Sequence, residues 1–350
     1  MKKESLLPPE SYLLEPGLLD RVGMILKERG FRGKTALVSD ERVFSLYGPQ
    51  VLTALRRADF SVSVFVFPPG ERSKNLETYG KILEQLAADQ LERSQPLLAL
   101  GGGVSGDLGG FAAASYRRGM PLIQLPTSLL AMADSCWGGK CGVDLKAGKN
   151  LAGAFYPPAL VLADPDCLKT LPPEEIRNGL GEIIKCGLLG DPLIFDLLEK
   201  ANPDQLPTEL ILRALLVKDK LVREDPLEKG PRQLLNLGHS LGHAMEFLSG
   251  YTLAHGQAVA AGMAVISRAA CARGLLPEVD LLRLLKLLEK YRLPQECGFS
   301  AKEILPLMTA DKKVRDGRLN LVVPEGLGVC RLIPVPIPQV KEWLNAGGVL

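Results

Sequence analysis

The feature that most narrows the fold is a rhythm that runs through half the chain and then stops. Short, nearly continuous apolar runs stand at 35–39 (TALVS), 61–67 (SVSVFVF), 96–100 (PLLAL), 121–125 (PLIQL) and 159–163 (ALVLA). Apolar runs of this length without polar alternation are what strands buried on both faces require. Helix-patterned segments such as 75–90 (NLETYGKILEQLAADQ) lie between them. Parallel strands need a long crossover, usually a helix, so the alternation predicts a parallel sheet with helices on both faces. After about residue 170 the rhythm gives way to 3.6-period segments at 173–188, 208–224, 233–248, 256–274 and 278–291, divided by Pro and Gly clusters. A short two-stranded piece is expected at 318–323 and 328–333, and a last helix at 338–346. The reading is an N-terminal α/β domain over 1–170 and a mostly α-helical C-terminal domain over 171–350.

Several function classes drop out at once. No apolar stretch reaches the length of a membrane span. The longest run free of Asp, Glu, Lys, Arg and His, 119–133, is interrupted by Pro121, Gln124 and Pro126. The N-terminal MKKESLLPPESYLLEPG has two lysines but no apolar core, so no signal peptide is expected there. Lys and Arg total 42 against 40 Asp and Glu, and a net charge of +2 with mixed signs argues against a general nucleic-acid or membrane-surface binder. Seven cysteines, odd in number and without a C-x-x-C pair, read as thiols of a cytoplasmic protein.

Residues 101–107 read GGGVSGD and follow the apolar run PLLAL. The spacing Gly101-x-Gly103-x-x-Gly106, with a helix expected from Asp107 onward, suits a backbone approach to a pyrophosphate at a helix start. The acid usual about twenty residues on is missing, so a turn that needs glycine only for packing remains open. Asp40, at the end of the first predicted strand, offers either a ribose contact or a helix N-cap.

The chain has only three histidines, and all lie between His239 and His255. His239 and His243 stand at i and i+4 in NLGHSLGHAMEF, one face of an expected helix, and His255 opens the next. A carboxylate is wanted to complete a metal or acid/base site, and Glu182 in GLGEIIKCG and Glu246 are the candidates. A satisfied core histidine is the plain alternative. Zinc is the default ion for two histidines and a carboxylate with an open position. Arg117, Arg118, Lys140, Lys149, Lys185, Lys218 and Arg232 are read in glycine-rich or polar turns, with Lys140 and Lys149 bracketing a loop rich in glycine and apolar residues. They suggest a small anionic ligand, held by point charges and bidentate guanidinium groups.

These segments, in this order, resemble the 3-dehydroquinate synthases of the sugar phosphate cyclase superfamily over nearly the whole chain. They are PPGERSK (68–74), GGGVSGDLGGFAAASYRRG (101–119), LPTSLLAMADSCWGGKCGVDLKAGKNLAGAFYPP (125–158), CLKTLP (167–172), GLGEIIKCG (179–187), LLNLGHSLGHAMEF (234–247) and HGQAVAAGM (255–263). The resemblance implies a Rossmann-like NAD-binding domain, then a helical metal- and substrate-binding domain, in a homodimer. Matched by motif, Glu182, His239 and His255 take the metal (Zn or Co), and His243 is a catalytic acid/base residue. Asp134, Lys140, Asn150, Lys185, Lys218, Arg232 and Asn236 match substrate positions; Lys140, Lys185, Lys218, Arg232 and Asn236 also count as catalytic. Arg118 matches an arginine that reaches the neighbouring subunit's substrate, and Glu228 a proton acceptor. Asp40, Glu71, Lys74, Gly102, Gly103, Val104, Asp107, Thr127, Ser128, Lys149, Cys167, Leu168, Lys169 and Thr170 match NAD positions.

The implied reaction converts 3-deoxy-arabino-heptulosonate 7-phosphate to 3-dehydroquinate and phosphate, a shikimate-pathway step towards aromatic amino acids. It runs by transient oxidation with NAD, phosphate elimination, reduction and intramolecular aldol closure. The partner is thus a small sugar phosphate, with no nucleic acid and no membrane. Three positions depart from the family pattern: Pro69 stands where Asp is usual, Gln257 where Glu is common, and Asp144 where Asn is frequent. Alternatives are a sugar phosphate cyclase using sedoheptulose 7-phosphate, glucose 6-phosphate or an amino analogue, a metal-dependent polyol dehydrogenase, and a non-catalytic binder.

Overall fold

The computed structural model describes residues 8–203, 205–309, 314–315 and 317–350. Residues 1–7, on which part of the N-terminal reading rests, lie outside them. The chain divides into two compact units, Met1–Leu171 and Pro172–Leu350.

The first unit is built on a six-stranded parallel sheet of β1 (Tyr12–Leu14), β2 (Lys34–Asp40), β3 (Ser61–Phe67), β4 (Leu97–Gly101), β5 (Leu122–Pro126) and β8 (Leu160–Ala163). The spatial order is β1-β8-β5-β4-β2-β3. Helices α1 (Leu18–Glu28), α2 (Glu41–Arg57), α3 (Leu76–Ala88) and α4 (Gly103–Ser115) make the crossovers. Ala36, Val38, Leu97 and Ala99 share one core with Ile82 and Leu86 of α3 and Leu108 and Ala112 of α4. Leu37, Leu98 and Leu100 fall on the other face by the two-residue strand period and are equally buried. There α2 packs on β2, β3 and β4, with α1 against α2. Burial on both faces is the physical cause of the unbroken apolar runs.

Three expectations are corrected here. Asp40 ends the second strand, not the first, because Tyr12–Leu14 forms a short edge strand paired with β8. Three residues are too few to show a period. The helix after the glycine loop begins at Gly103 rather than Asp107. The segment read as a lysine-bracketed loop is an antiparallel hairpin of β6 (Lys140–Leu145) and β7 (Gly148–Phe155). Its glycines hid it: Gly142 and Gly153 sit opposite each other, where a side chain on either would meet the facing backbone within 2.5 Å.

The second unit is mostly helical: α5 (Pro173–Leu189), α6 (Leu193–Lys200), α7 (Glu209–Glu224), α8 (His239–Leu248), α9 (His255–Ala272), α10 (Glu278–Lys290), α11 (Ala301–Thr309) and α12 (Ile337–Ala346). A small antiparallel sheet joins β9 (Val314–Arg315), β10 (Arg318–Gly326) and β11 (Val329–Pro336) in the order β11-β10-β9. One apolar core runs from Leu241 and Met245 on α8 through Ala258, Ala261 and Val265 on α9 to Leu321, Val323 and Trp343. The predicted helix 233–248 is two pieces. A 3-10 turn, Pro231–Asn236, ends before Gly238, whose φ of 78° breaks the helix. A Cβ on Gly238 would also lie 2.5 Å from the Val259 carbonyl oxygen, so α8 starts against α9 only because that side chain is missing.

Candidate functional site

In the second unit the three histidines meet one carboxylate. Glu182 lies mid-helix in α5 and is 1% exposed. Its Oε1 is 3.6 Å from His239 Nε2 and 3.4 Å from His255 Nε2. His239 opens α8 and His255 opens α9, so two helix starts deliver both rings to the flank of α5. The approach of α9 to α5 depends on Gly256, where a Cβ would lie 1.8 Å from the Asn178 carbonyl oxygen. The Gly256 N–H instead donates to Asn178 Oδ1 at 2.6 Å.

The far side of each ring is also engaged. His239 Nδ1 is 3.1 Å from the Leu237 carbonyl oxygen, and His255 Nδ1 is 3.3 Å from Glu246 Oε2. A carbonyl and an ionised carboxylate only accept, so each Nδ1 carries a proton, and each ring in its neutral form has its lone pair on Nε2, towards Glu182. Metal-ligating histidines are ordinarily held in this way. The spacing fits an ion as well: bonds of about 2.0–2.1 Å at tetrahedral angles put neighbouring donors about 3.4 Å apart. One carboxylate oxygen and two imidazole nitrogens suit zinc or cobalt. Burial works to push the His255 ring down, but hydrogen bonds and charge from Glu182 and Glu246 outweigh it and push the ring up to about 10. The cluster therefore calls for positive charge, and without a metal a proton supplies it.

His243 is exposed on α8, its ring centroid 5.4 Å from that of His239 and 5.9 Å from that of His255. His243, Glu246 and His255 form a second group whose ligand atoms lie within 4.8 Å of one another, as those of Glu182, His239 and His255 do. Lys185 is buried one helical turn beyond Glu182 and pairs with its Oε2. Lys218 is buried on α7, which packs on α5. Arg232, 1% exposed, donates from Nη1 to the Pro226 carbonyl at 2.6 Å. Asn236 donates to Glu228 Oε1 at 2.9 Å. Lys185 and Lys218 thus lie on helices and not in turns, and Lys185 has its carboxylate partner three residues back on the same helix.

In the first unit the chain leaves β2 for β3 on one side and returns to β4 on the other. The strand order therefore reverses between β2 and β4. Open α/β sheets bind ligands at the carboxyl ends of the strands flanking such a reversal. Asp40 ends β2 and Gly101 ends β4. Asp40 Oδ1 caps α2 by accepting from Val43 N at 2.9 Å, and Oδ2 lies 3.6 Å from the Cβ position of Gly101. Gly102 is the N-cap of α4, followed by Gly103 and Val104, so free N–H groups start there. Thr127 donates its N–H to the Gly101 carbonyl, and Ser128 Oγ lies 3.5 Å from the Cβ position of Gly102.

Beside this loop Lys74, 5% exposed, reaches Asp107 Oδ2 and Asn150 Oδ1, each at 2.6 Å. Glu71 stands 3.7 Å from Lys74 and 3.8 Å from Lys149. Burial opposes the charge on Lys74, yet Asp107 and Glu71 hold its ammonium above the usual lysine range. Burial pushes the Asp107 carboxyl up against the pull of Lys74. Asp144 on β6 joins the turn at Lys74 to β7, giving its N–H to the Lys74 carbonyl and accepting from Asn150 N at 2.8 Å. The Cys167 carbonyl accepts from Tyr47 on α2 at 3.0 Å, and Thr170 bonds the same hydroxyl. Leu168 is half-buried in that turn, while Lys169 is exposed and pairs with Asp166. Asp134 lies within a π-helical turn, Ala131–Ser135, and its carbonyl accepts from Trp137 N at 3.1 Å; Lys140 is exposed at the start of β6.

Left-handed backbone marks several of these positions. Among the described non-glycine residues with positive φ are Arg118 (61°), Asn150 (55°) and Glu228 (58°), each singled out from the sequence. Such φ values cost energy for residues of this size and persist where the surroundings hold them. Sequence reading missed Asn178 and Tyr47, which act through a helix start and a turn and carry no spacing signal, and it named Asp144 only as a departure from the family pattern. It left Glu246 only as a rival ligand.

The chain matches the family model for the 3-dehydroquinate synthase N-terminal part over residues 64–178 and that for the C-terminal part over 179–314. It is 39% identical to a 3-dehydroquinate synthase of Enterococcus faecalis over 356 residues, covering 99% of both chains. It is 41% identical to that of Nostoc punctiforme over 353 residues, covering 97% of both. Among solved structures, ValA, a 2-epi-5-epi-valiolone synthase of Streptomyces hygroscopicus with NAD+ and Zn2+ bound, superposes with a TM-score of 0.87 at 31% identity over 96% of both chains. A 2-deoxy-scyllo-inosose synthase complexed with carbaglucose-6-phosphate, NAD+ and Co2+ gives a TM-score of 0.85 at 27% identity over 95% of both.

Proposed function

Because the chain belongs to the 3-dehydroquinate synthase family, we propose that it converts 3-deoxy-arabino-heptulosonate 7-phosphate to 3-dehydroquinate and phosphate, as an NAD- and divalent-metal-dependent lyase. The observation that carries this reading at the site is the pair of Nε2–Oε1 spacings joining His239 and His255 to Glu182. Identity near 40% over almost the full length favours the dehydroquinate branch over the other cyclases, whose structures stand at 31% and 27%.

Glu182, His239 and His255 would hold the metal. Gly102, Gly103, Val104, Asp107, Asp40, Glu71, Lys74, Thr127, Ser128, Lys149 and the 167–170 turn would hold NAD. When bound, the metal supplies Lewis acidity, and NAD supplies a hydride acceptor that is restored within each turnover. Lys185, Lys218, Arg232 and Asn236 position the anionic substrate and carry its charge in a buried setting, where fixed donors are worth more than in water. Asp134, Lys140 and Asn150 are further substrate contacts of the first unit. His243, exposed beside the ligand rings, takes up and returns a proton. Glu228, tied to Asn236, is a second proton acceptor.

We extend the same reading to a cytoplasmic homodimer. All seven cysteines are thiols, and no described helix is long and apolar enough to cross a membrane. Arg118, exposed and held at positive φ, is the residue proposed to reach the neighbouring subunit's substrate. One assay tests the activity: purified protein with the heptulosonate phosphate, metal and NAD should release phosphate without net NADH. Net NADH would indicate a polyol dehydrogenase. Turnover only with sedoheptulose 7-phosphate or glucose 6-phosphate would indicate another cyclase.

A further inference from the structure

Glu246 is not among the residues proposed to hold metal, NAD or substrate, yet it is 4% exposed and points a carboxylate at the ring of His255. Burying a carboxylate is costly unless it is paired, so its position needs a reason. Two roles would supply one. Glu246 is either a ligand, in the group with His243 and His255, or a support for His255.

The geometry of the imidazole decides between them. Glu246 Oε2 sits 3.3 Å from Nδ1 of His255, while Glu182 Oε1 sits 3.4 Å from Nε2 of the same ring. The two ring nitrogens point away from each other. An ion bound at Nε2 with Glu182 and His239 therefore has the whole ring between it and Glu246. Nδ1 cannot both donate to Glu246 and bind an ion in the second group. The contact also crosses between elements. Glu246 is near the end of α8 and His255 is the first residue of α9. The turn between them is closed on the same residue: Tyr251 N–H and Ser249 Oγ both donate to the Glu246 carbonyl, at 2.8 and 2.9 Å. Backbone and side chain of Glu246 thus fix how α9 begins and how its first ring is turned.

We propose that Glu246 is a positioning residue for the metal centre: it holds the Nδ1 proton of His255, so that Nε2 is turned towards Glu182 and His239, and it is not itself a ligand. The proposal rests on the metal site of the proposed function, but not on the identity of the substrate.

The experiment measures metal affinity directly, by chelator competition on stripped protein reloaded with Zn2+ or Co2+, together with the Co2+ absorption spectrum. Glu246→Ala should bind about 10- to 100-fold more weakly, with the wild-type Co2+ spectrum retained, because the donor set is unchanged. Glu246→Gln, which still offers an oxygen acceptor without the charge, should fall between the two. Glu182→Gln should abolish tight binding and change the spectrum. Wild-type affinity in Glu246→Ala overturns the proposal, and so does a spectrum altered as in Glu182→Gln, which would make Glu246 a ligand. If Glu246→Ala does not fold, Glu246→Gln decides: weaker binding with the wild-type spectrum supports the role, and unchanged affinity overturns it. Wild-type protein that binds metal with these properties but leaves the heptulosonate phosphate untouched would sink the proposed activity and leave this inference standing. Wild-type protein that binds no metal would sink the inference itself.

Discussion

The N–H of Gly256 donates to the side-chain oxygen of Asn178 at 2.6 Å, while the Gly256 Cα faces the Asn178 backbone carbonyl so closely that a Cβ would lie 1.8 Å away. This contact sets the distance between α5, which carries Glu182, and the start of α9, which carries His255. Gly256→Ala should force the two helices apart. A stability loss of about 1–3 kcal/mol is expected, the usual cost of overpacking, read from denaturant unfolding. Metal should bind more weakly in the same variant. Asn178→Ala adds no clash and removes two hydrogen bonds, the one from Gly256 and the one to Glu175; it should cost about 1 kcal/mol for each and disturb metal binding less.

Ligand and proton carrier should separate by mutation. Glu182→Gln and His255→Ala should lose bound metal and activity together, as measured by metal content after gel filtration and by phosphate release. His243→Ala should keep its metal and lose roughly 10²- to 10⁴-fold in rate. Normal turnover by a metal-free His255→Ala protein would end the ligand assignment. Loss of metal from His243→Ala would move that residue into the coordination shell.

The raised pKa of His255 gives the metal-free protein a definite pH dependence. The folded ring titrates at about 10, against about 6.5 for an unfolded histidine. Its contribution to stability is therefore complete below about 6.5 and is lost as the pH rises towards 10. A divalent ion displaces that proton, so metal uptake between these values should release about one proton from this ring. Calorimetric titration in buffers of different ionisation enthalpy measures the release. An uptake heat independent of buffer would refute the coupling.

Lys74 neutralises a carboxylate in the first unit. Lys74→Met should leave Asp107 partly buried beside Glu71 without its cation. A destabilisation of about 3 kcal/mol is expected from breaking such a pair. Lys74→Met/Asp107→Leu should recover part of it, because the uncompensated charge is then gone. NAD affinity should drop in both variants, which separates the cofactor role from the structural one.

The α/β alternation was readable because strands buried on two faces admit few polar residues, and TALVS and PLLAL contain almost none. The break at Gly238 was not, because NLGHSLGHAMEF keeps helical periodicity across it. The break follows from a positive φ and from the backbone of α9 lying against that glycine. The β6–β7 hairpin was hidden for a related reason: its facing glycines show only that side chains are missing, not what stands opposite.

The histidines show the same division more sharply. Their types and spacing, with Glu182 and the family resemblance, were enough to choose the chemistry from sequence, because donor type and helical period are local properties. Residue type and spacing alone could not divide the work between two glutamates; the resemblance named Glu182 as the ligand and gave Glu246 no task. Glu182 lies 57 positions from His239 and Glu246 only nine from His255, yet Glu182 faces the lone-pair nitrogens and Glu246 the proton-bearing one. Which side of an imidazole a carboxylate meets depends on where two helices start and how closely they pack. That was decided only when the chain folded, by Gly238 and Gly256 letting backbone come where a side chain would have stood.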